Sequence, residues 1–401
     1  MKQFVGIDMS KSSHCIYIMN ESGDKINQLK IKNDLEGFNQ LKNLLNDSYE
    51  IHIGMECGNG LLFEFLSQFH FKIYSINPKI ISRFKETFWV SKSKNDWRDA
   101  EGIANYLRLY SYRIRPFTVD SSNVALLRNY CGVYNRLLDT QNNLINRLIS
   151  VLGNYLPLYL DLFSSHCIPI LWKMIIQYPT LKQLKQAKTV DMKQFLHQNF
   201  YRNKKYVEKL LEIIKSYQCY TKSETEMALS FEAVLLAENL LQLSEKIKEI
   251  ISLMNSILIT HNLGNIFLSI PGAGVVIASH LLALFGDNYD RFRHYNDAQS
   301  YFGTAPYLYQ SGNYCKVMMR KACNKMGKRV FYQLAFCSLT QCDWARKHYD
   351  ALRKRGKINS VALRALSNKW VKIAFSMWKN QKLYDPLLWD IDHNNSADKI
   401  A

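Results

Sequence analysis

The stretch KQFVGIDM, residues Lys2–Met9, decides the fold class of the first part of the chain. It is a short apolar run that ends next to an acid, and it predicts a buried β-strand. Four further strand patterns follow: HCIYIMN at 14–20, INQLKIKN at 26–33, YEIHIGME at 49–56 and FKIYSINP at 71–78. Helical spacing lies between the last three patterns, so a three-stranded meander precedes strands that alternate with helices. The sequence therefore predicts an α/β domain with a mixed sheet over residues 1–115.

The rest of the chain has mainly helical patterns. One long pattern runs from Ser121 to Pro157 with leucines near heptad spacing, and a second runs from about Ser223 to Asn262. They predict a helical or coiled-coil middle region over 116–262, in which about 161–222 is an insertion without an assigned role. We expect a mainly α C-terminal domain over 263–382 and a disordered tail over 383–401.

The charge of the chain is concentrated in one segment. The 401 residues carry 52 Lys and Arg against 34 Asp and Glu, a net charge of +18. Residues 313–384 alone contain 17 Lys and Arg against two acids, a net charge of +15. This balance indicates a polyanionic partner such as nucleic acid, although a solvated basic helix face is the ordinary alternative.

Cysteine spacing and hydropathy exclude several other classes. The nine cysteines form no C-x-x-C pair, which argues against a zinc site and suits a reducing cytosol. The segment 250–286 carries no Asp, Glu, Lys or Arg, but polar residues interrupt it and Pro271-Gly272 breaks it. We therefore expect a cytoplasmic protein without a membrane span.

Four acids stand where a sheet and a helix could bring them together. Asp8 ends the first strand, Glu56 ends the fourth, and Asp96 and Asp99 share one face of a predicted helix. Carboxylates grouped in this way suit Mg²⁺ or Mn²⁺, which takes phosphate oxygens as further ligands. The alternative for Asp96 and Asp99 is a solvated first helical turn favoured by the helix dipole.

These motifs resemble a known family. GIDMSK, MECGNG, INP and KNDWRDA are similar, in order and spacing, to the amino-terminal domain of the DEDD transposases of insertion-sequence family one-ten, whose relatives include the pilin-gene invertases. The resemblance implies an RNase H-like (RuvC-like) fold, with Asp8, Glu56, Asp96 and Asp99 as catalytic metal ligands. The family's Lys-Thr-Asp is Lys-Asn-Asp here, so Asn95 departs from the pattern but leaves both acids in place.

The C-terminal region carries the same resemblance. SIPGAGVVIASHLLALFGD, RFRHYNDAQSYFGTAPYLYQSG and YDALRKRGK are similar to the family's transposase domain, whose nucleophilic serine lies in a Gln-Ser-Gly context. This match implies that Ser311 is the nucleophile. From spacing alone, Ser311 is an ordinary loop hydroxyl that would need a base or a metal for activation, and Tyr309 is a rival nucleophile.

The resemblance also implies partners. It implies a recombinase that excises and inserts donor and target DNA, guided by a structured non-coding bridge RNA. Family members act as homodimers or homotetramers in which acids and serine from different protomers form one active site.

Several residues are expected to contact nucleic acid. Gly272 and Gly274 precede an apolar helix and could offer backbone N–H groups to phosphate, with a plain Gly-rich turn as the alternative. The basic candidates are Lys92, Lys94, Arg98, Lys316, Arg320, Lys321, Lys325, Lys328, Arg329, Arg353, Lys354, Arg355 and Lys357.

Two other functions remain open from the sequence. One is a metal-dependent RuvC-like nuclease or junction resolvase, in which the acids are active and Ser311 is structural. The other is a non-catalytic nucleic-acid-binding protein, such as a decayed transposase.

Overall fold

The structure is a computed structural model that describes residues 1–45, 48–56, 60–88, 95–117, 119–163, 165–199, 203–312 and 314–387. The chain divides into two compact units, Met1–Val119 and Asp120–Ala401. Most of the predicted tail lies outside the described residues.

The first unit is an α/β domain. Its elements are β1 (Lys2–Met9), β2 (Ser13–Asn20), β3 (Lys25–Lys32), α1 (Leu35–Leu44), β4 (Glu50–Met55), α2 (Leu61–Leu66), β5 (Lys72–Ser75), α3 (Pro78–Phe88) and α4 (Asp96–Tyr110). All five predicted strands are present. They form one sheet in the order β3-β2-β1-β4-β5, antiparallel from β3 to β1 and parallel from β1 to β5. The predicted mixed sheet is confirmed.

The two faces of this sheet carry separate cores. Val5 and Ile7 on β1 pack with α1 and α2, whereas Phe4 packs on the opposite face with residues of α4. Side chains alternate between the faces along a strand, so Gly6 and Asp8 share the face of Phe4. By the same alternation, Gly54 and Glu56 point to the α4 face of β4.

The second unit is mainly helical, as predicted. Its helices are α5 (Ser122–Tyr155), α6 (Leu158–Asp161), α7 (Pro169–Gln177), α8 (Leu181–Gln186), α9 (Thr189–Gln198), α10 (Lys204–Ser216), α11 (Ser223–Thr260), α12 (Asn262–Leu268), α13 (Val275–Phe285), α14 (Tyr295–Tyr301), α15 (Lys325–Ser338), α16 (Asp343–Lys354) and α17 (Asn359–Asn380). The sequence patterns did not predict its hairpin of β6 (Tyr307–Ser311) and β7 (Tyr314–Met318).

The predicted middle and C-terminal regions share one core. Trp370 and Trp378 of α17 are fully buried in a cluster that includes Leu127 of α5 and Leu258 of α11. The basic C-terminal segment is therefore an integral part of this unit and not a detachable arm.

The insertion packs against the C-terminal half of α5 and the N-terminal half of α11. Trp172 of α7 and Leu196 of α9 are buried in a second cluster together with Leu152 of α5 and Leu240 of α11. The insertion thus removes from water an apolar surface that these helices would otherwise expose.

In the described ranges no single helix has the length and apolar character needed to cross a membrane, and only α11 with α12, a pair bent by 111°, meets those criteria together.

Candidate active site and nucleic-acid-binding surface

Two of the four acids stand at adjacent strand ends. Asp8 is the penultimate residue of β1, and Glu56 follows β4 directly. The two strands run parallel, with Ile7 paired to Met55, so Asp8 and Glu56 are next in register. Both are partly buried. The tertiary structure therefore brings together two residues that are 48 positions apart in the sequence.

The other two acids lie in the first turn of α4. Asn95 caps this helix, its side-chain oxygen accepting a hydrogen bond of 3.0 Å from the Trp97 N–H. An Asn at this position is a good helix cap, so the departure from the family's Thr preserves the helix start. Asp96 is exposed and Asp99 is partly buried, and both carboxylates benefit from the positive end of the helix dipole.

Two glycines let α4 lie directly on the sheet. Gly6 and Gly54 are register partners on β1 and β4. A Cβ atom on Gly6 would lie 1.9 Å from the Ala100 carbonyl oxygen, and one on Gly54 would lie 2.6 Å from Cγ2 of Ile103. Any larger side chain would push the first turn of α4 away from the strand ends. This pair was not predicted from the sequence, although its signal is local: a glycine stands two residues before the acid in both strands.

The four carboxylates act on one another electrostatically. The pKa of Asp8 is raised from 3.8 to about 6, first by burial and then by the negative charges of Asp99, Glu56 and Asp96, in that order. Lys85 of α3 opposes this shift and forms an ion pair with Asp99. Lys85 was not predicted from the sequence either. The acids form one anionic cluster whose repulsion a cation would relieve.

This cluster fits a hard divalent cation by its donors and its charge. The four side chains offer carboxylate oxygens, the ligands that Mg²⁺ prefers. In the described parts of the chain, no three His, Cys, Asp or Glu side chains stand close enough together to hold a metal ion. A bound cation would therefore have to draw the carboxylates inward and take the place of the Lys85 ammonium beside Asp99.

The raised pKa of Asp8 predicts a pH-dependent cost to folding. The folded pKa, about 6, exceeds the unfolded value of 3.8, so protonation of Asp8 favours the folded state and this contribution is lost as pH rises through about 6. Without divalent cations at pH 7, we expect Asp8→Asn to raise the free energy of unfolding by about 1–2 kcal/mol, discounted for partial exposure.

Denaturant unfolding at pH 4 and pH 7 measures this effect. The exposed Glu64→Gln of α2 is the matched control and should change little. Added Mg²⁺ should stabilise the native chain and not Asp8→Asn, because binding to the folded state alone raises stability. Equal stabilities of the native chain and Asp8→Asn at both pH values would contradict the electrostatic cluster.

The basic residues near the acids are only partly described. Lys92 and Lys94 lie outside the described residues. Arg98, on α4, is partly buried and lowers the pKa of Glu101, which burial raises.

Ser311 ends the first strand of an exposed hairpin. In the register of β6 and β7, Ser311 pairs with Tyr314 and Tyr309 pairs with Lys316, so these four side chains share one face. The rings of Tyr309 and Tyr314 lie 6.3 Å apart, and both are about half exposed. The Ser311 hydroxyl has no hydrogen bond to another described residue. Its face combines a hydroxyl group, two aromatic rings and an ammonium group.

The two glycines before α13 have different roles. Gly272 has a φ of 85° and a Cβ there would lie 2.8 Å from backbone atoms of α15, so only glycine fits. Its N–H already donates a 2.8 Å hydrogen bond to Oε1 of Gln341. Gly274 caps α13 without a side-chain hydrogen bond and is exposed. The N–H groups open to a phosphate are therefore those at Gly274 and the first turn of α13.

Most of the C-terminal basic residues that are predicted to contact nucleic acid are exposed. Lys316, Lys321, Lys325, Arg329, Arg353, Lys354, Arg355 and Lys357 are exposed, and Arg320 and Lys328 are partly buried. Arg353 to Lys357 form one group at the end of α16. The Arg320 guanidinium lies 5.9 Å from the ring of Tyr307, at the base of the hairpin.

Sequence ranges in both units match models of known protein families. Residues 5–157 match the family model of DEDD transposases of the IS110 type, and residues 264–350 match the model described as "Transposase IS116/IS110/IS902 family". The first range contains all four acids and the second contains Ser311.

Two curated proteins align with nearly the whole chain. The chain is 25% identical over 380 residues to "Mini-circle putative transposase for IS117" of Streptomyces coelicolor, which covers 92% of each chain. It is 23% identical over 394 residues to "Insertion element IS116 uncharacterized 44.8 kDa protein" of Streptomyces clavuligerus, which covers 96% of each chain.

Proposed function

Because this chain belongs to the IS116/IS110/IS902 family of transposases, we propose that it cuts and rejoins DNA through a serine–DNA intermediate with a divalent metal ion. The metal-dependent part of this proposal rests on one observation. Asp8, at the end of β1, interacts electrostatically with Glu56, at the end of β4, and with Asp96 and Asp99 at the start of α4. A mixed sheet with acids at adjacent strand ends and on a packed helix suits an RNase H-like (RuvC-like) fold. DEDD transposases generally use divalent metal ions.

A metal ion held by these acids would supply a Lewis acid that neutralises charge on the reacting phosphate. The four acids would fix the position of this metal ion. Gly6 and Gly54 keep the first turn of α4 close to the strand ends. Ser311 supplies the nucleophile: its oxygen forms a bond to phosphorus as the sugar oxygen leaves with a proton. The phosphoserine ester conserves the energy of the broken bond, so a DNA hydroxyl can attack it and rejoin the strand without ATP.

The partners follow from the same proposal. Donor and target DNA are the substrates, and a structured bridge RNA selects them by base pairing. The exposed Tyr309, Tyr314 and Lys316 around Ser311 suit contacts to a nucleic-acid strand, because aromatic rings stack on bases and ammonium groups bind phosphates.

The direct test uses the DNA that flanks the coding region, together with its structured transcript. We expect cleaved or recombined DNA with Mg²⁺ or Mn²⁺ and none with EDTA. DNA binding without cleavage under every metal condition would support the non-catalytic alternative.

The basic group at the end of α16 is expected to dominate the salt dependence of binding. Truncation before α15 would remove Trp370 and Trp378 from the core, so substitution is the suitable change. Replacing Arg353, Lys354, Arg355 and Lys357 together by glutamine should make the slope of log K against log salt shallower by about 3–4, if each contacts one phosphate.

The matched control makes the same charge change in the insertion. Lys182, Lys185, Lys188 and Lys193 are all exposed, and replacing them by glutamine should leave the slope nearly unchanged. Fluorescence anisotropy over 50–200 mM salt measures both variants. An equal decrease in the salt slope for both variants would assign the effect to the overall charge of the protein rather than to the α16 group.

The oligomeric state is expected to depend on a stripe on α11. Met227, Phe231 and Leu235 recur every four residues, and 72%, 74% and 49% of their surfaces are exposed. A continuous apolar stripe of this kind suits a second copy of the helix. We expect Phe231→Glu to weaken dimerisation by more than about tenfold, which light scattering after gel filtration measures. Val190→Glu, on α9 and 73% exposed, is the control. A dimer unchanged by Phe231→Glu would place the interface elsewhere.

A further inference from the structure

A cavity of about 500 Å³ lies in the second unit between α5, the glycine loop before α13, and α15. Its walls include Tyr134, Asn135 and Leu138 of α5, Val276 of α13 and Gln333 of α15. Its size and mainly apolar lining, with a few polar groups, are typical of sites for small flat molecules. None of these residues takes part in the metal or serine chemistry proposed above.

Besides His280 and Arg329, the polar groups of the cavity include two side-chain amides beside an aromatic ring. The Tyr134 ring meets the His280 ring edge-on at 5.7 Å. Asn135 uses its amide nitrogen, which lies 3.1 Å from Nε2 of His280 and donates to the Cys131 carbonyl at 2.8 Å. Its amide oxygen has no hydrogen bond to another described residue. Gln333 likewise uses its nitrogen on the Cys337 sulfur at 3.6 Å.

A second cavity of about 400 Å³ adjoins the first, and several basic side chains stand in its largely apolar wall. Lys325, Lys328 and Arg364 line it, together with the hydroxyl residues Thr304 and Ser360. Arg329 and Gln333 line both cavities. The four basic side chains around the second cavity suit a phosphate backbone, and the first cavity, beyond Arg329, suits an uncharged ring.

We propose that the first cavity binds an unpaired nucleobase turned out of the nucleic acid whose phosphates lie along the basic side chains of the second cavity. The Tyr134 ring would lie against the base, and the amide groups of Asn135 and Gln333 would bond to its exposed Watson–Crick edge. This inference rests on the proposed function in one respect, the nucleic acid that delivers the base. The base comes from DNA or from the guide RNA, which present the same ring chemistry.

The test compares the affinity of the full chain for three duplexes of one sequence. One is fully paired, one carries a single bulged adenine, and one carries a bulged abasic sugar, each made as DNA and as RNA. Fluorescence anisotropy should show about tenfold tighter binding to the adenine bulge than to the paired duplex. The abasic bulge should show no such preference, because it bends the backbone equally but offers no ring. If the preference for the adenine bulge is larger in the DNA duplexes, the base comes from DNA. If it is larger in the RNA duplexes, the base comes from the guide RNA.

Variants locate the effect within the cavity. Leu138→Trp fills the cavity and Tyr134→Ala removes the ring, so both should lose the preference for the adenine bulge, whereas Tyr134→Phe should retain it. Leu126→Trp makes the same substitution elsewhere on α5, at an exposed site, and should leave the preference intact. Affinity for the paired duplex and the circular dichroism spectrum report whether each variant is folded.

The outcomes separate this inference from the proposed function. Binding to paired duplex without a bulge preference would overturn the nucleobase site and leave the transposase proposal standing. An equal preference for the abasic bulge, or a preference that survives Leu138→Trp, would also overturn it. Failure to bind any probe would overturn the nucleic-acid function and the nucleobase site together.

Discussion

Neutralising any one of the four acids is expected to reduce DNA strand cleavage by about 10³-fold or more, since in the proposed mechanism each carboxylate helps to hold the metal that stabilises the transition state. The variants are Asp8→Asn, Glu56→Gln, Asp96→Asn and Asp99→Asn, which keep the shape of each side chain. We expect all four to fold, because the cluster destabilises the metal-free protein and its partial neutralisation relieves repulsion.

The control for this prediction lies on the same helix. Glu101 of α4 is a partly buried carboxylate whose raised pKa comes first from burial, and the acids of the cluster are not among the causes of its shift. Glu101→Gln should therefore retain cleavage. Gel assays with labelled DNA over a range of Mg²⁺ and Mn²⁺ concentrations measure the rates. Normal cleavage by two of the four variants would remove the four acids as a functional set.

Ser311→Ala is expected to eliminate the covalent protein–DNA adduct while DNA and RNA binding persist. The substitution removes the hydroxyl that we propose attacks phosphorus, whereas the exposed basic residues of α15 and α16 remain. Tyr309→Phe should still form the adduct. Denaturing gels detect the adduct, and mass spectrometry after digestion should find a phosphoserine at position 311.

Two other results would redirect the mechanism. A phosphotyrosine at Tyr309, which shares the face of the hairpin with Ser311, would make the tyrosine the nucleophile. Metal-dependent cleavage with free 3′-OH ends and no adduct would indicate an RNase H-like transposase, nuclease or junction resolvase without a covalent intermediate.

Asp8→Asn and Ser311→Ala, mixed in one preparation, test whether one active site uses residues from two protomers. The acids belong to the first unit and Ser311 to the second. If acids and serine meet across a two-fold dimer, mixing Asp8→Asn with Ser311→Ala should restore about a quarter of the native activity, since half of the random dimers carry one intact site. Activity that stays absent in stable mixed dimers would indicate that each chain completes its own site.

Much of the fold was predictable because its signals are local. The apolar runs from Lys2 to Ser75 and the turn residues between them predicted the five strands in order. Hydrophobic spacing predicted α5 and α11 to within a few residues, since long periodic helices carry the strongest local pattern. The hairpin that bears Ser311 was missed because its strands are exposed on both faces and show no alternation between apolar and polar residues.

By itself, the sequence determined which carboxylates end the strands and open the helix, and that most of the positive charge lies in one segment. Only the tertiary structure decided what surrounds them. Register pairing of Gly6 with Gly54 lets α4 approach the sheet, and this approach raises the pKa of Asp8 and places Lys85 beside Asp99. Packing of Trp370 and Trp378 with α5 and α11 makes the basic segment part of a core. Such effects depend on contacts between residues far apart in the chain, and local spacing does not encode them.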